Sequence, residues 1–531
     1  MENLQFLFPV LITTLLLLLL YIATRVLYSI WWKPRQLQKS IVKQGIKGTP
    51  YRLLVGDMKE LIRQTKEAWS NPISSLSLPH SIASRVDPFT HHILHNYGKV
   101  SFCWMGTSPR LIIKDTELMK EVLSNKEGHF GKPYLNPLIL ILTKGLTTLE
   151  GEEWANHRKI INPAFHLEKL KGMMSVFSTS CGKMIEQWGR QIDLDGGSNC
   201  EIDVWSEFQN LTGDIIFTAA FGTSNNSSNH SNEGKKIFKL QKELLGLVME
   251  TMVSMYISGF RFIPTKKNRR RKELNRSITS MLRTIVQRKE DEMRNGQSGA
   301  DNLLGILLQS NQTHKNDNNG MTIDEIIEEC KQFYLAGYET TSCLLTWTLI
   351  VLAMHQDWQE KARKEILEIY GENLPVAEDI GRLKVTTMIL NEVLRLYPPA
   401  IAHYLHAYKK TKIGSLSIPA GVDITLPTLI LHHDKELWGE DADEFKPERF
   451  SEGVMNASKG NQAFFPFGWG PRICIGQNFA MIESKVALAM ILQRFSFKLS
   501  PSYSHAPYTV MTLQPQHGAQ IIFEKLISSK I

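Results

Sequence analysis

Phe6 to Thr24, FLFPVLITTLLLLLLYIAT, is an unbroken run of 19 uncharged residues containing six consecutive leucines. That is about the length a helix needs to cross the hydrocarbon core of a bilayer, so the run constrains everything after it. A cleaved secretory signal is the alternative reading. It fits less well, because the apolar run is too long, no basic segment precedes it and no small-x-small cleavage site follows. Glu2 is the only charge before the run, whereas Arg25, Lys33, Arg35, Lys39, Lys43 and Lys47 come after it. The positive-inside rule then leaves the bulk of the chain in the cytosol. Tyr28, Trp31 and Trp32 suit the membrane interface. The expected organisation is an anchor and interface over residues 1–32, a basic hinge linker over 33–50 broken by Gly48 and Pro50, and a large body over 51–531.

The 531 residues suffice for two to four ordinary domains, or for one large one with an extensive core. With 43% hydrophobic and 21% charged residues the body is globular in composition. A net charge of +8 is mild, and points to acidic protein partners or an anionic membrane surface; nothing reads as a nucleic-acid module. Cys103, Cys181, Cys200, Cys330, Cys343 and Cys474 are scattered without a C-x-x-C pair, as expected in a reducing compartment. Sequons such as Asn210-Leu-Thr and Asn311-Gln-Thr would go unused there.

Between turn-rich segments the pattern is mainly helical. The clearest helix runs from Thr322 to about His355. It opens on TIDE, a capping box of Thr322 and Glu325, and over 30 proline-free residues carry it through the core. A second ends at NEVLRLYPP, stopped by Pro398 and Pro399, and a third starts just after Cys474. Strand-like pieces are short, for example PRLIIKD near 109 and VDITLPT near 422. Gly222–Gly234 and Ser310–Gly320 read as surface loops. Lys266–Lys272, KKNRRRK, reads most simply as a solvated helix face or loop, with membrane or partner contact a lesser option. The expected fold class is mainly α with a minor β region.

The loop FFPFGWGPRICIG, Phe464–Gly476, crowds glycines, aromatics and one arginine around a solitary sulfur. Cys474 lies just before a helix, whose free N–H groups and partial positive charge favour a thiolate. Gly468, Gly470 and Gly476 let the backbone bend closely, and Arg472 adds positive charge. A nucleophilic thiolate would want a histidine base, which the loop lacks. A zinc ligand would want three companions at metal spacing. The single axial ligand of a haem iron needs no protein companion. A glycine-rich turn with an incidental cysteine also stays open on this loop alone.

Other stretches bear on the choice. The loop resembles the haem-binding signature of cytochromes P-450, F-x-x-G-x-R-x-C-x-G, matched at Phe467, Gly470, Arg472, Cys474 and Gly476. NEVLR supplies Glu392 and Arg395 one turn apart, FKPERF supplies Arg449, AGYETT spans Ala336 to Thr341, and WANHR gives Trp154 and Arg158. The resemblance covers essentially the whole chain, and is nearest to the plant microsomal group that contains secologanin synthase and 7-deoxyloganic acid hydroxylase. GDMKELIRQ and TLEGEEWANHRKIINPAF look like that group's own phrases.

The resemblance implies a cytochrome P-450 fold behind a single transmembrane helix, in the endoplasmic reticulum membrane with its catalytic domain cytosolic. It implies haem b (iron protoporphyrin IX) ligated by Cys474 in a pocket that includes Phe467, Gly468 and Gly476, with Trp154, Arg158 and Arg472 on its propionates. It also implies dioxygen as co-substrate. Glu339 and Thr340 would serve the oxygen side, the long helix loosening there, the Thr340 hydroxyl facing dioxygen and Glu339 connecting toward solvent; an ordinary helical turn, with Thr340 bonding back to a carbonyl, is the bland alternative. Glu392, Arg395 and Arg449 would form a buried structural salt-bridge cluster. His403 and His406 stand where the wider family often has an arginine, and His406 would substitute for it on a propionate, unless both are simply surface histidines. Tyr134–Leu142, Phe333–Ala336, Ala400–His403 and Val510–Leu513 would line a pocket for a hydrophobic substrate, a terpenoid or steroid.

No flavin or nicotinamide fingerprint is visible, so electrons would come from an NADPH–cytochrome P-450 reductase, with cytochrome b5 a further partner beside the lipid bilayer. Arg158, Lys159, Lys169 and Lys171 would offer it a basic face. The expected activity is a reductase-dependent monooxygenase. The alternatives are a P-450-type isomerase or dehydratase that needs no external electrons, whose members tend to lack the Glu339–Thr340 pair, and a non-enzymatic membrane haem or sterol-binding protein.

Overall fold

The computed structural model describes residues 2–73, 80–125, 128–133, 137–197, 199–222, 227–250, 265–296, 299, 302–315 and 320–526. The chain divides into two units, one of residues 1–70, 83–133 and 402–427, the other of residues 71–82, 134–401 and 428–531.

The first unit begins with helix α1, Glu2–Leu27, which passes through a π-helical turn, Tyr28–Trp32, into a helix over Lys33–Val42. Phe8–Val42 spans 35 residues, and its apolar window is 0% buried against the protein. It is a candidate single transmembrane helix. The residues after it are fastened down. Tyr51 Oη donates to the Ile30 carbonyl at 2.5 Å. The Gln44 amide donates to Ser417 O at 2.8 Å and accepts from Ser417 N at 2.6 Å.

The body of this unit is a six-stranded sheet in the order Lys47–Gly48, Val100–Met105, Ser108–Ile113, Asp423–Leu426, His403–Ala407, Phe130–Gly131. Val100–Met105 and Ser108–Ile113 pair antiparallel from Val100↔Ile113 to Met105↔Ser108, and the latter strand runs parallel to Asp423–Leu426. Both strands expected from the sequence are therefore present, as neighbours. Phe102, Trp104, Leu111 and Ile112 are buried along them.

The second unit is a helical core. Its elements used below are α2, Gly151–Ile161; α3, Met174–Leu194; α4, Val204–Phe221; α5, Ile323–Met354; α6, Lys384–Leu396; and α7, Gln477–Arg494. α5 has its expected capping box: Glu325 N donates to Thr322 Oγ1 at 3.3 Å, and Thr322 N donates to Glu325 Oε2 at 2.7 Å. Its apolar window is 83% buried, which marks it as the core helix and not a membrane span. A Cβ on Gly337 would lie 2.7 Å from Ile216 Cγ1, so glycine there lets α4 approach closely. Thr212 of α4 donates to Tyr338 O at 2.9 Å across that contact.

After α6, Tyr397 stacks on Trp347 of α5 with ring centroids 4.5 Å apart, and the Trp347 indole donates to Leu513 O at 2.8 Å. That bond fixes the C-terminal turn against α5. A three-stranded antiparallel sheet places Gln520–Lys525 between Phe495–Leu499 and Asn199–Asp203.

Three sequence expectations need correction. Ser227–Met249 is helical, so the loop expected over Gly222–Gly234 survives only at Gly222, with 223–226 outside the described residues. The helix Leu303–Lys315 covers the first half of the loop expected at Ser310–Gly320. Within it Asn311 is buried, donating to Met321 O at 3.0 Å and accepting from Met321 N at 2.6 Å, which leaves it no room for a glycan. The run Lys266–Lys272 opens the helix Lys266–Arg294 but is not wholly solvated. Arg271 is buried and donates to Leu247 O at 3.2 and 2.6 Å, while Arg270 pairs with Glu243 at 2.7 Å.

Candidate active site

The loop before α7 owes its shape to two glycines in the left-handed region, Gly468 at φ 79° and Gly470 at φ 71°. A short 3-10 turn, Gly470–Arg472, follows, and Cys474 N donates to Phe467 O at 2.9 Å, closing the loop. Gly476 differs: its φ is −87°, and a Cβ there would meet the Cys474 sulfur at an ordinary 3.9 Å. The expected need for backbone freedom holds at Gly468 and Gly470 but not at Gly476. What Gly476 contributes is its N–H, which bonds the sulfur.

All six cysteines are free; five are buried and Cys474 alone is exposed. Its surroundings are nonetheless dense. Burial pushes the Cys474 thiol above its ordinary value, opposed by the Gly476 N–H and the Arg158 charge. The cation whose charge acts on the sulfur is Arg158, where the sequence pointed to Arg472.

Arg472 is committed elsewhere. It pairs with Glu150, donates to Leu149 O at 3.0 Å and lies over the Trp154 ring at 4.4 Å. Arg158, one turn beyond Trp154 on α2, donates to Ile473 O at 2.9 Å. α2 is held in register by its neighbour His157, whose Nδ1 lies 2.7 Å from Glu329 Oε1 on α5, while Glu329 Oε2 accepts from Leu146 N at 3.1 Å. Trp154, Arg158 and Arg472 are thus brought together beside the cysteine loop. Sequence reasoning missed Glu150; only its place four residues before Trp154 could have hinted at it.

On α5 the exposure pattern breaks once. Ala336 is exposed and Gly337 and Thr340 are half-buried in a helix whose flanking turns are buried. The Thr340 hydroxyl donates to Ala336 O at 2.6 Å, and the helix is continuous from Ile323 to Met354. The expected loosening is therefore not found; the back-bonded threonine satisfies its hydroxyl within an intact turn. Nor does Glu339 open to solvent. It is buried, and its Oε1 accepts from Thr512 Oγ1 at 2.9 Å and Gln514 Nε2 at 3.1 Å, both on the C-terminal turn. Burial raises the Glu339 pKa, with the Thr512 bond pulling the other way. The Cys343 thiol donates to the same Thr512 hydroxyl at 3.1 Å. Gln514 carries no motif, and Thr512, although inside the expected pocket stretch Val510–Leu513, was expected to face a substrate and not to hold Glu339.

Glu392, Arg395 and Arg449 lie together in a buried charged cluster. Glu392 and Arg395 are both 0% exposed, with Arg395 Nε and Nη2 donating to the two Glu392 oxygens at 2.8 Å each. The remaining Arg395 donors reach His432 O at 2.8 Å, Ala442 O at 2.6 Å and Glu444 O at 3.1 Å. Arg449 stands 3.5 Å from Glu392, bonds Trp438 O at 2.9 Å and pairs with Asp441 at 2.9 Å. Lys446 N also donates to Glu392, at 2.9 Å.

Of the expected pocket stretches, 134–136 lie outside the described residues, Phe333 is buried, and Val510 is exposed beside the buried Thr512. In the first unit His406 pairs with Asp423 at 2.7 Å and packs edge-on against Tyr408. A cavity of about 560 Å³ lined by residues including Ser180, Asp214 and Phe238 takes in Tyr334 of the expected stretch Phe333–Ala336 but no residue of the cysteine loop.

The donor set fits a haem: one accessible sulfur, with two guanidinium groups and an indole beside it for an anionic edge. Comparison with known proteins bears this out. The family model for cytochrome P450 matches residues 80–523. Cytochrome P450 CYP72A616 of Paris polyphylla is 50% identical over 501 residues, 94% of this chain and 95% of that one. The 11-oxo-beta-amyrin 30-oxidase of Glycyrrhiza uralensis is 48% identical over 505 residues, 94% of each chain. Secologanin synthase 2 of Catharanthus roseus is 45% identical over 521 residues, 97% of this chain and 96% of that one. A match of this length, on a helical core with one accessible cysteine in its signature loop, places the chain in the cytochrome P450 family of haem-thiolate monooxygenases.

Proposed function

We propose that this enzyme inserts one oxygen atom from dioxygen into a C–H bond of a hydrophobic terpenoid or steroid, using haem b ligated by Cys474 and electrons from a membrane-bound NADPH-dependent reductase. The observation that carries the reading is the singular accessibility of the Cys474 sulfur among six cysteines. When bound, the haem supplies oxygen activation that no side chain can provide.

The chain's own residues supply position, charge and dryness. Cys474 is held by its bond to Phe467 and by the Gly476 N–H. Arg158, Trp154 and Arg472 would take the propionates, Arg472 trading Glu150 for the new anion, while Phe467 and Gly468 shape the loop around the sulfur. Thr340 offers a hydroxyl on the exposed stretch of α5. Glu339 is the nearby proton carrier, and must leave Thr512 and Gln514 to serve. Glu392, Arg395 and Arg449 keep the scaffold.

Relatives carry the names of an 11-oxo-beta-amyrin oxidase and a secologanin synthase, both terpenoid names, which supports that substrate class. The helix Phe8–Val42 supports an anchor over residues 1–32 in the endoplasmic reticulum, a junction over 33–50 and a cytosolic catalytic domain over 51–531. The exposed Lys159 and Lys169 offer a basic face to a reductase, with cytochrome b5 as a second donor.

Microsomes holding this protein and a reductase, fed triterpenoids, sterols, iridoids and gibberellins, are expected to form a hydroxylated product only with NADPH. Turnover of a substrate without NADPH would overturn the monooxygenase assignment. Thr340→Ala is expected to keep its haem and its NADPH consumption while product formation falls on the order of a hundredfold; unchanged product per NADPH would remove Thr340 from the reaction.

A further inference from the structure

Glu483, in the second turn of α7, is 0% exposed, and neither of its carboxyl oxygens has a hydrogen-bond partner in good geometry. The helix that carries it begins three residues after Cys474. Its polar neighbour is the Thr341 hydroxyl of α5, the residue next to Thr340. We propose that Glu483 is carried as a neutral carboxylic acid and acts as a positioning residue, keying α7 to α5 at Thr341. An ionised carboxylate without a cation in so dry a place would bear the whole loss of its hydration. A neutral acid has an O–H to give and a carbonyl to receive, which is what a lone hydroxyl across a helix contact can match.

The charges around it agree. From α3 the titratable group facing Glu483 is the Cys181 thiol, itself fully buried and raised by that burial. From α5 it is met by Thr341, which does not titrate, and among the described residues no charged group on α6, on the helices Gln356–Tyr370 and Leu167–Lys171 (with its Lys169 and Lys171) or on the strand Phe495–Leu499 (with its Lys498) acts on it. Burial pushes the Glu483 carboxyl well above the carboxylate range, and Thr341 offsets this in part. The acid thereby fixes the spacing between the element that follows the sulfur and the element that carries the Thr340 hydroxyl. It rests on packing alone and does not depend on which substrate the enzyme takes.

The sign of the linkage gives a test that a merely packed side chain would not pass. A carboxyl whose folded pKa lies above its unfolded value contributes stability below the unfolded value, and loses it as pH rises toward the folded one. Glu483→Gln is neutral at every pH and keeps the shape. Full-length, haem-loaded parent and E483Q are compared by denaturant unfolding across the acidic to alkaline range. Above about pH 4.3 the folding equilibrium of the parent is expected to fall relative to E483Q by about tenfold per pH unit. A gap that stays constant with pH would overturn the proposal. Where unfolding proves irreversible, infrared spectra of the folded proteins decide the matter. A protonated-carboxyl C=O band present in the parent at neutral pH and missing in E483Q supports it, and its absence from the parent refutes it. E483Q is expected to retain haem and Glu483→Ala to lose it; equal haem retention in both variants would deny the positioning role.

Discussion

Arg395→Ala is expected to yield protein that holds no haem. Arg395 makes five hydrogen bonds with no exposure to water, two to Glu392 and one each to His432, Ala442 and Glu444. Its removal strands a fully buried Glu392, which then keeps only the Lys446 N–H at 2.9 Å and the more distant Arg449. Leaving one partner of a buried pair costs about 3–5 kcal/mol, a large share of a domain's net stability. The carbonyls that Arg395 gathers belong to residues 432–444, ahead of the cysteine loop, so the loss spreads to the segment that leads into the site. Glu392→Ala should behave alike, stranding the guanidinium in its place. Haem content per protein, measured on the purified variants, checks this. Full occupancy in either variant would show that the cluster is dispensable.

Cys474→Ser is the second change with a large expected effect. The serine side chain is smaller, but the bond from the residue 474 N–H to Phe467 O is made by the backbone, so the loop should persist. What goes is the soft, polarisable donor on which the family's chemistry depends. Product formation is expected to fall to background, with the fold intact by circular dichroism. The five other cysteines are buried and offer no substitute sulfur. A C474S protein that oxidised its substrate at a measurable fraction of the parent's rate would remove the sulfur from the mechanism.

Much of this architecture is written locally in the chain. Thr322 and Glu325 announce the start of α5, and the Pro398–Pro399 pair the end of α6, because capping and proline sterics act within a few residues. The signature loop is legible for the same reason. What could not be read depends on which distant segments meet. Glu150 neutralising Arg472, Thr512 and Gln514 holding Glu339, and Arg158 rather than Arg472 serving the sulfur all join residues more than a hundred positions apart. The glycine at 476 misled in a different way: its neighbours need left-handed backbone, whereas it does not. Likewise the basic run at Lys266 reads as solvent-facing until the helix ending at Met249 lays the Leu247 carbonyl over Arg271.

The measurement that bears most directly on a sulfur-ligated haem is the carbon monoxide difference spectrum of the reduced, full-length protein, recorded beside Cys474→His. The parent is expected to show the strongly red-shifted Soret band of a thiolate-bound ferrous carbonyl, and the histidine variant only the shorter-wavelength band of an imidazole-ligated haem. The same red-shifted band in both proteins, or in neither when freshly prepared and intact, would contradict the assignment of Cys474.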